Sequence, residues 1–235
     1  MRETPNKASE NLPIDLEVSS SDDILALKGL SIDVLDTPCE AMSQSNLDSF
    51  GFQVLFAWKK AHQLARTRYS PTEALARVFM VTLVANWSLT ETELAETQPL
   101  RHFWAYLWRA YDKLRKEAPS EERRMEIQQE FQDVLAPQDL DNPGDADLYR
   151  LHLDAAYHRR IFFTKTMSYI GLGPSIMQQN DVLCVLFGGA TPMILRPEGE
   201  QFRLVGECYV YDLMSGEAIK DWHAGKYAVQ TFPLI

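Results

Sequence analysis

The hydrophobic period of this chain changes near Arg159, from about 3.6 residues to 2, and that change limits the folds open to it. Before it, Phe50, Val54, Leu55, Trp58, His62 and Leu64 recur at helical spacing. Ser70-Pro71-Thr72-Glu73 sets Ser at an N-cap, Pro at the first helical position and Glu to complete a capping box. The predicted helix runs to about Trp87, with its apolar stretch 78–85 buried. Thr90 and Glu93 repeat the capping-box spacing, and residues 100–116 carry Phe103, Trp104, Leu107, Trp108, Tyr111 and Leu114 on one broad face. Ser120 opens a charged helix to about 135, residues 137–145 read as a loop, and 148–157 as one further helix.

After Arg159, short strand-like runs follow at 161–163, 181–187, 193–195, 202–211 and 227–232, separated by Gly and Pro. In the fourth run Phe202, Leu204, Cys208 and Val210 face one way, and Arg203, Val205, Glu207, Tyr209 and Tyr211 the other. Gly206 predicts a bulge or a close backbone approach there. Helices followed by strands imply an α+β fold, an N-terminal helical block packed on a small C-terminal antiparallel sheet or barrel-like module. Residues 24–35 add a short hairpin or two strands around Gly29. The expected organisation is a flexible acidic arm over 1–23 and a single domain over 24–235, mainly helical over 24–157 and mainly strand over 158–235.

The net charge is −10, and residues 1–50 hold ten acids against three bases. Such a surface does not recruit a phosphate backbone, so nucleic-acid binding is not expected. Cys39, Cys184 and Cys208 form no C-x-x-C pair, which argues for a reducing compartment and against a disulfide framework or zinc ribbon. With no signal-peptide pattern and no apolar run of transmembrane length, the expected setting is the cytosol, away from membranes.

Familiar cofactor and metal motifs fail on inspection. Gly171-Leu172-Gly173-Pro174 resembles the start of a dinucleotide loop, but Ile176 takes the third glycine position and Pro174 removes an amide. Asp139-x-Asp141 before Pro143-Gly144 resembles a calcium loop, but Arg150 stands where the bidentate Glu is required. His62, His102, His152, His158 and His223 make no zinc pattern, and no nucleophile elbow or P-loop occurs. No cofactor and no metal are expected. Cys184 and Cys208, in apolar strands, read as buried inert thiols, and Trp58, Trp87, Trp104 and Trp108 as core.

Several ordered blocks carry a resemblance. They are Arg159-Arg160-Ile161-Phe162-Phe163-Thr164, Tyr169-Ile170-Gly171-Leu172-Gly173-Pro174, Asp181 through Gly189, Pro192 through Pro197, and Phe202 through Val210. Leu213-Met214-Ser215-Gly216-Glu217-Ala218 continues them, and Thr82-Leu83-Val84-Ala85-Asn86 and Leu27-Lys28-Gly29-Leu30 precede them. Together they resemble, over about residues 24–220, the C-terminal region of fungal heterokaryon-incompatibility (HET) proteins. The blocks of that family's TIR-like N-terminal effector domain do not occur in these residues, so its activity has no positions here to receive it.

The resemblance leaves two functions. One is a stand-alone HET-like protein repurposed as a cofactor-independent fungal biosynthetic enzyme, a cyclase, pericyclase or isomerase acting on an apolar secondary metabolite. The other is a non-enzymatic allorecognition module that binds HET-type proteins. The enzyme reading is preferred, because an apolar pocket can be selected by itself once an effector is lost. Its candidate site lies at the helix-to-sheet junction and on the fourth strand run: His158, Arg159 and Arg160 as cationic donors, Glu207 and Tyr209 as proton acceptor and donor. The competing structural reading is an Arg160–Glu207 ion pair.

Overall fold

The computed structural model describes residues 7–18, 25–42, 47–85, 98–136, 141 and 143–235. The expected capping box at Thr90 and Glu93, the predicted helix end at Trp87, and Asp139 lie outside the described residues. Contacts divide the chain into two compact units: Met1–Cys39 with Arg160–Ile235, and Glu40–Arg159. The boundary falls where the sequence period changes.

The unit Glu40–Arg159 is helical, with α1 (Leu47–Leu64), α2 (Thr72–Val84), α3 (Gln98–Lys116), α4 (Glu121–Phe131) and α5 (Ala146–Arg150). A 3-10 turn, Leu153–Ala156, follows α5, so the last predicted helix is split in two. Trp58 organises the core: fully buried, it meets the rings of Phe79, Phe103 and Trp104 edge-on at 5.3–5.8 Å, and its indole N–H donates to the Val134 carbonyl at 2.7 Å. Ser120 caps α4, accepting from the Arg123 amide at 3.2 Å, as its sequence predicts. The Ser70 cap is a correction. Pro71, not Ser70, stands at the N-cap of α2, and no side chain caps it. This start is held by packing, since α2 buries every residue from Val78 to Val84.

The other unit is a barrel with a small sheet beside it. Its strands are β1 (Leu16–Val18), β2 (Leu25–Val34), β3 (Arg159–Phe163), β4 (Ile170–Pro174), β5 (Val182–Leu186), β6 (Met193–Glu198), β7 (Gln201–Glu207), β8 (Tyr209–Val210) and β9 (Val229–Leu234). One helix, α6 (Glu217–His223), lies between β8 and β9 and has no counterpart in the sequence expectations. The main sheet runs β1-β2-β5-β6-β7-β9, and β9 returns to pair with β2, which closes a five-stranded barrel. The barrel is mixed, since β7 meets β9 in parallel through Phe202 and Leu234. β3, β4 and β8 form the second sheet.

Alternation along β5 shows how the barrel packs. Cys184 and Leu186 join Leu195 and Phe232, with Leu27, Phe202 and Leu234 against them, and fill the interior. Leu183 and Val185 face the other way, into a larger core with Leu30, Ile32, Phe162, Tyr169, Val210 and Ile219. The Asp181 carboxylate, 2% exposed, sits at the foot of β5 and accepts from Arg196 Nε at 2.8 Å and Nη2 at 3.0 Å. Among the described residues no helix is long and apolar enough to cross a membrane.

Four expectations change here. Residues 24–35 are no hairpin: Leu25–Val34 is one strand, and Gly29 sits where an added Cβ would meet the Val185 carbonyl oxygen at 2.5 Å. Gly171 and Gly173, outside the expected strand runs, lie inside β4, and a Cβ at Gly171 would enter the Phe162 ring. Residues 7–18, assigned to the flexible arm, are hydrogen-bonded in place: Lys7 N–H to Met214, Ala8 N–H to Ala190, Ser9 N–H to Gly189, with β1 along β2. Ala8 is fully buried. The fourth strand run does not alternate throughout. Ile194 pairs with Gly206 and Leu195 with Leu204, leaving Val205 as the extra residue of a bulge, and Gly206 has φ 145°, as the glycine there predicted.

Candidate functional site

The helical unit carries a half-open cleft of about 430 Å³ between α1, α3 and α5. That lies in the ~300–1,000 Å³ range of small-molecule sites. On α3, Tyr106, Arg109, Ala110 and Lys113 follow i, i+3, i+4, i+7 spacing and so share one face. α1 contributes Phe50, Gly51 and Phe52, and α5 contributes Asp147 and Arg150. Tyr157 completes the wall, its ring 4.9 Å from that of Phe50. A Cβ at Gly51 would lie 3.5 Å from the Ala110 Cβ and 3.8 Å from the Tyr106 hydroxyl, ordinary contact distances that leave room for a small side chain.

The polar groups are set by short-range contacts. Asp145 caps α5 by accepting from the amides of Asp147 at 2.8 Å and Leu148 at 3.2 Å. Its own amide donates to His102 Nδ1 at 2.7 Å, which ties the start of α5 to α3. Asp147 Oδ1 then receives Arg109 Nη1 at 2.9 Å and Arg150 Nε at 3.2 Å. Hydrogen bonds from Arg109 and then Arg150 hold the Asp147 carboxyl below the ordinary carboxylate range, so it is ionised at neutral pH. The Arg109 guanidinium also stands 5.7 Å over the Tyr106 ring. Tyr106 is 4% exposed, and burial raises its phenol pKa despite the opposing charge of Arg109. Tyr106 lines the cleft, which puts its phenol within reach of a bound molecule.

None of the five residues expected from the sequence lines this cleft. His158 and Arg159 belong to the helical unit, while Arg160, Glu207 and Tyr209 belong to the barrel unit. His158 is exposed at φ 59°, and its backbone N–H donates to the Met42 carbonyl at 2.9 Å. The Arg159 carbonyl accepts from the Met42 amide at 2.9 Å. Arg160 donates to three backbone carbonyls: Cys39, Met177 at 3.1 Å and Ser175 at 3.4 Å. Glu207 is exposed at the end of β7, opposite Met193. Tyr209 is buried on β8, opposite Leu172, and burial raises its phenol pKa. The Val205 bulge and the break at Cys208 put Glu207 and Tyr209 in different environments, where simple alternation set them on one face.

The cleft itself escaped the sequence reading because its three helices are far apart in the chain. The available signal was Gly51 within an apolar helical run, and the Tyr106, Arg109, Lys113 stripe beside the broader aromatic face of the same helix.

All three cysteines are free thiols, with Cys184 and Cys208 buried; burial pushes the Cys184 thiol well up. Among the described residues no group of three or more His, Cys, Asp or Glu side chains is placed to hold a metal ion. Searches of curated proteins and of solved structures give no match to this chain. A family model does match, that of the Het-6 beta-barrel domain, over residues 53–226. That match spans most of the sequence, takes in strands β5, β6 and β7 of the barrel and agrees with the HET-like blocks after Arg159, so the chain belongs to the Het-6 beta-barrel domain family.

Proposed function

We propose that this chain is a HET-related protein repurposed for small-molecule chemistry, a cofactor-independent cyclase or isomerase whose site is the cleft of the helical unit. The observation that carries the reading is that cleft: an aromatic wall of Phe50, Phe52 and Tyr157, and the largely buried phenol of Tyr106. Chemistry of this class needs no triad or nucleotide loop. The wall holds a flexible apolar substrate in a reactive conformer, which replaces entropy otherwise lost at the transition state. Tyr106, kept protonated by burial, donates to a substrate oxygen as negative charge develops there. Asp147, kept ionised, fixes Arg109 and Arg150 at the rim.

The test has two parts. A neutral naphthalene dye should bind the wild-type protein and be excluded by Gly51→Leu, which fills the cleft from α1. Incubation with a fungal metabolite extract, followed by mass spectrometry, should show a product that Tyr106→Phe no longer makes at unchanged melting temperature. A dye that binds both proteins equally, or conversion indifferent to Tyr106→Phe, defeats the reading. Membership of the Het-6 barrel family favours a second reading, a recognition module for HET-type proteins. It predicts a saturable protein partner and a cleft that Gly51→Leu can fill without consequence.

A further inference from the structure

We infer that His102 is a positioning residue for the helical cleft, a proton-sensitive latch that fixes the start of α5 and so sets the Asp147 carboxylate at the rim; this rests on the reading of the cleft as a small-molecule site. The imidazole is half-buried on α3, and its Nδ1 accepts from the Asp145 amide at 2.7 Å. A backbone amide only donates, so Nδ1 is bare and the ring proton sits on Nε2. The loop before α5 comes close at the same point. Gly144 has φ 75°, and an added Cβ would lie 2.5 Å from the Arg101 carbonyl oxygen and 3.1 Å from the His102 amide nitrogen.

Protonation breaks this latch. A charged imidazole carries N–H on both nitrogens, so Nδ1 then turns a donor toward a donor. Histidine in ordinary surroundings gains that proton between about pH 8 and 5. The Asp145 carboxylate is the other acceptor on that residue, but its Oδ1 caps α5 through the Asp147 and Leu148 amides, and a turn toward the ring would uncap the helix. The charged and titratable groups of the facing segment are Asp141, Asp145, Asp147, Tyr149 and Arg150. Those on the adjoining turns of α3 are Arg101, Tyr106 and Arg109. Asp147 is engaged by Arg109 and Arg150. Tyr149 is buried, with its hydroxyl donating to the Met80 carbonyl at 3.1 Å and its ring against Phe103 and Tyr106. That anchor keeps the body of α5 docked, so protonation frees only the turn from Asp145 to Asp147. The same turn carries the bridge from Asp147 to Arg109, which joins α5 to α3 at the cleft.

The experiment follows two signals on the full chain from about pH 7.5 to about pH 5.5. One is the Asp145 amide by heteronuclear NMR. The other is binding of 2-methoxynaphthalene, a neutral probe with no titrating group, read by its fluorescence. In the wild type the amide proton should move upfield in step with the His102 ring signals. The probe should bind at least about threefold more weakly at the lower pH, the effect of losing one ordinary hydrogen bond. His102→Asn sets a non-titrating amide oxygen where Nδ1 stood, so binding should hold at its neutral-pH level throughout. His102→Ala, with no acceptor, should bind weakly at both ends of the range. An Asp145 amide that stays put while the ring titrates overturns the inference. So does a His102→Asn profile that falls like the wild type's, or a His102→Ala protein that binds like the wild type at neutral pH. Wild-type probe binding that does not change with pH overturns it too, and leaves the cleft a small-molecule site without this control. Failure of the probe to bind at any pH refutes the small-molecule reading, and this inference falls with it.

Discussion

Replacing Arg196 by Met strands the Asp181 carboxylate in the barrel unit, and the structure sets the size of the effect. Asp181 is 2% exposed and accepts three hydrogen bonds, two from Arg196 and one from the Gln178 amide at 2.8 Å. Arg196→Met leaves only the last, around a charge that water cannot reach. Removing one partner of a buried pair costs about 3–5 kcal/mol, and the upper half of that range applies here. Asp181→Ala is milder. The Arg196 side chain is 22% exposed, and its Nη2 still donates to the Ile176 carbonyl at 2.8 Å. The cost should be about 2–3 kcal/mol, part of it the Gln178 amide left without its acceptor. The double variant should then be less damaged than Arg196→Met alone, because no ion remains to be stranded. Urea unfolding is the assay, and it must follow the barrel unit by itself, since two units need not unfold together. Trp222 is the one of five tryptophans in that unit, so 5-fluorotryptophan NMR isolates its transition. The reasoning is refuted if Asp181→Ala costs more than Arg196→Met, or if the two effects simply add.

Acid should loosen the helical unit through Glu130. A hydrogen bond from Lys59 at 2.8 Å, aided by Arg123, holds this carboxyl below its ordinary value against the opposing effect of burial. The pair therefore contributes stability above the unfolded carboxyl pKa of about 4.3, and that contribution is lost as pH falls through the lower folded value. An acid titration of thermal stability in Glu130→Gln should show a shallower fall than the wild type; superimposable curves would contradict the assignment. Gly171→Ala should destabilise the barrel unit by about 2–3 kcal/mol, since the new Cβ would lie 2.2 Å from the Phe162 Cζ. Adding Phe162→Leu should recover part of that loss, and a double variant no better than the sum of the two would count against the clash.

Local order was legible in the residues themselves. Periodicity alone placed α1, α3 and α4, the Ser120 cap, the strand runs after Arg159 and the bulge at Gly206, because each depends on residues within a few positions of one another. The HET-like blocks likewise pointed to the family that the match over residues 53–226 shows. Tertiary structure decided the rest. Whether Leu25–Val34 bends into a hairpin or runs straight depends on β5 and β9, more than 140 residues later in the chain, and Gly29 clears space for Val185 rather than making a bend, as Gly171 clears space for Phe162. Residues 7–18 read as an arm because little in their own sequence orders them; their partners are carbonyls at 189, 190 and 214. The cleft is the furthest case. Gly51, Tyr106 and Asp147 carry no mutual pattern, and only the packing of α1, α3 and α5 brings an open helix face, a buried phenol and a cationic rim around one space. A short-range pattern records what each segment prefers, while a site built from three distant segments exists only once their burial has been satisfied together.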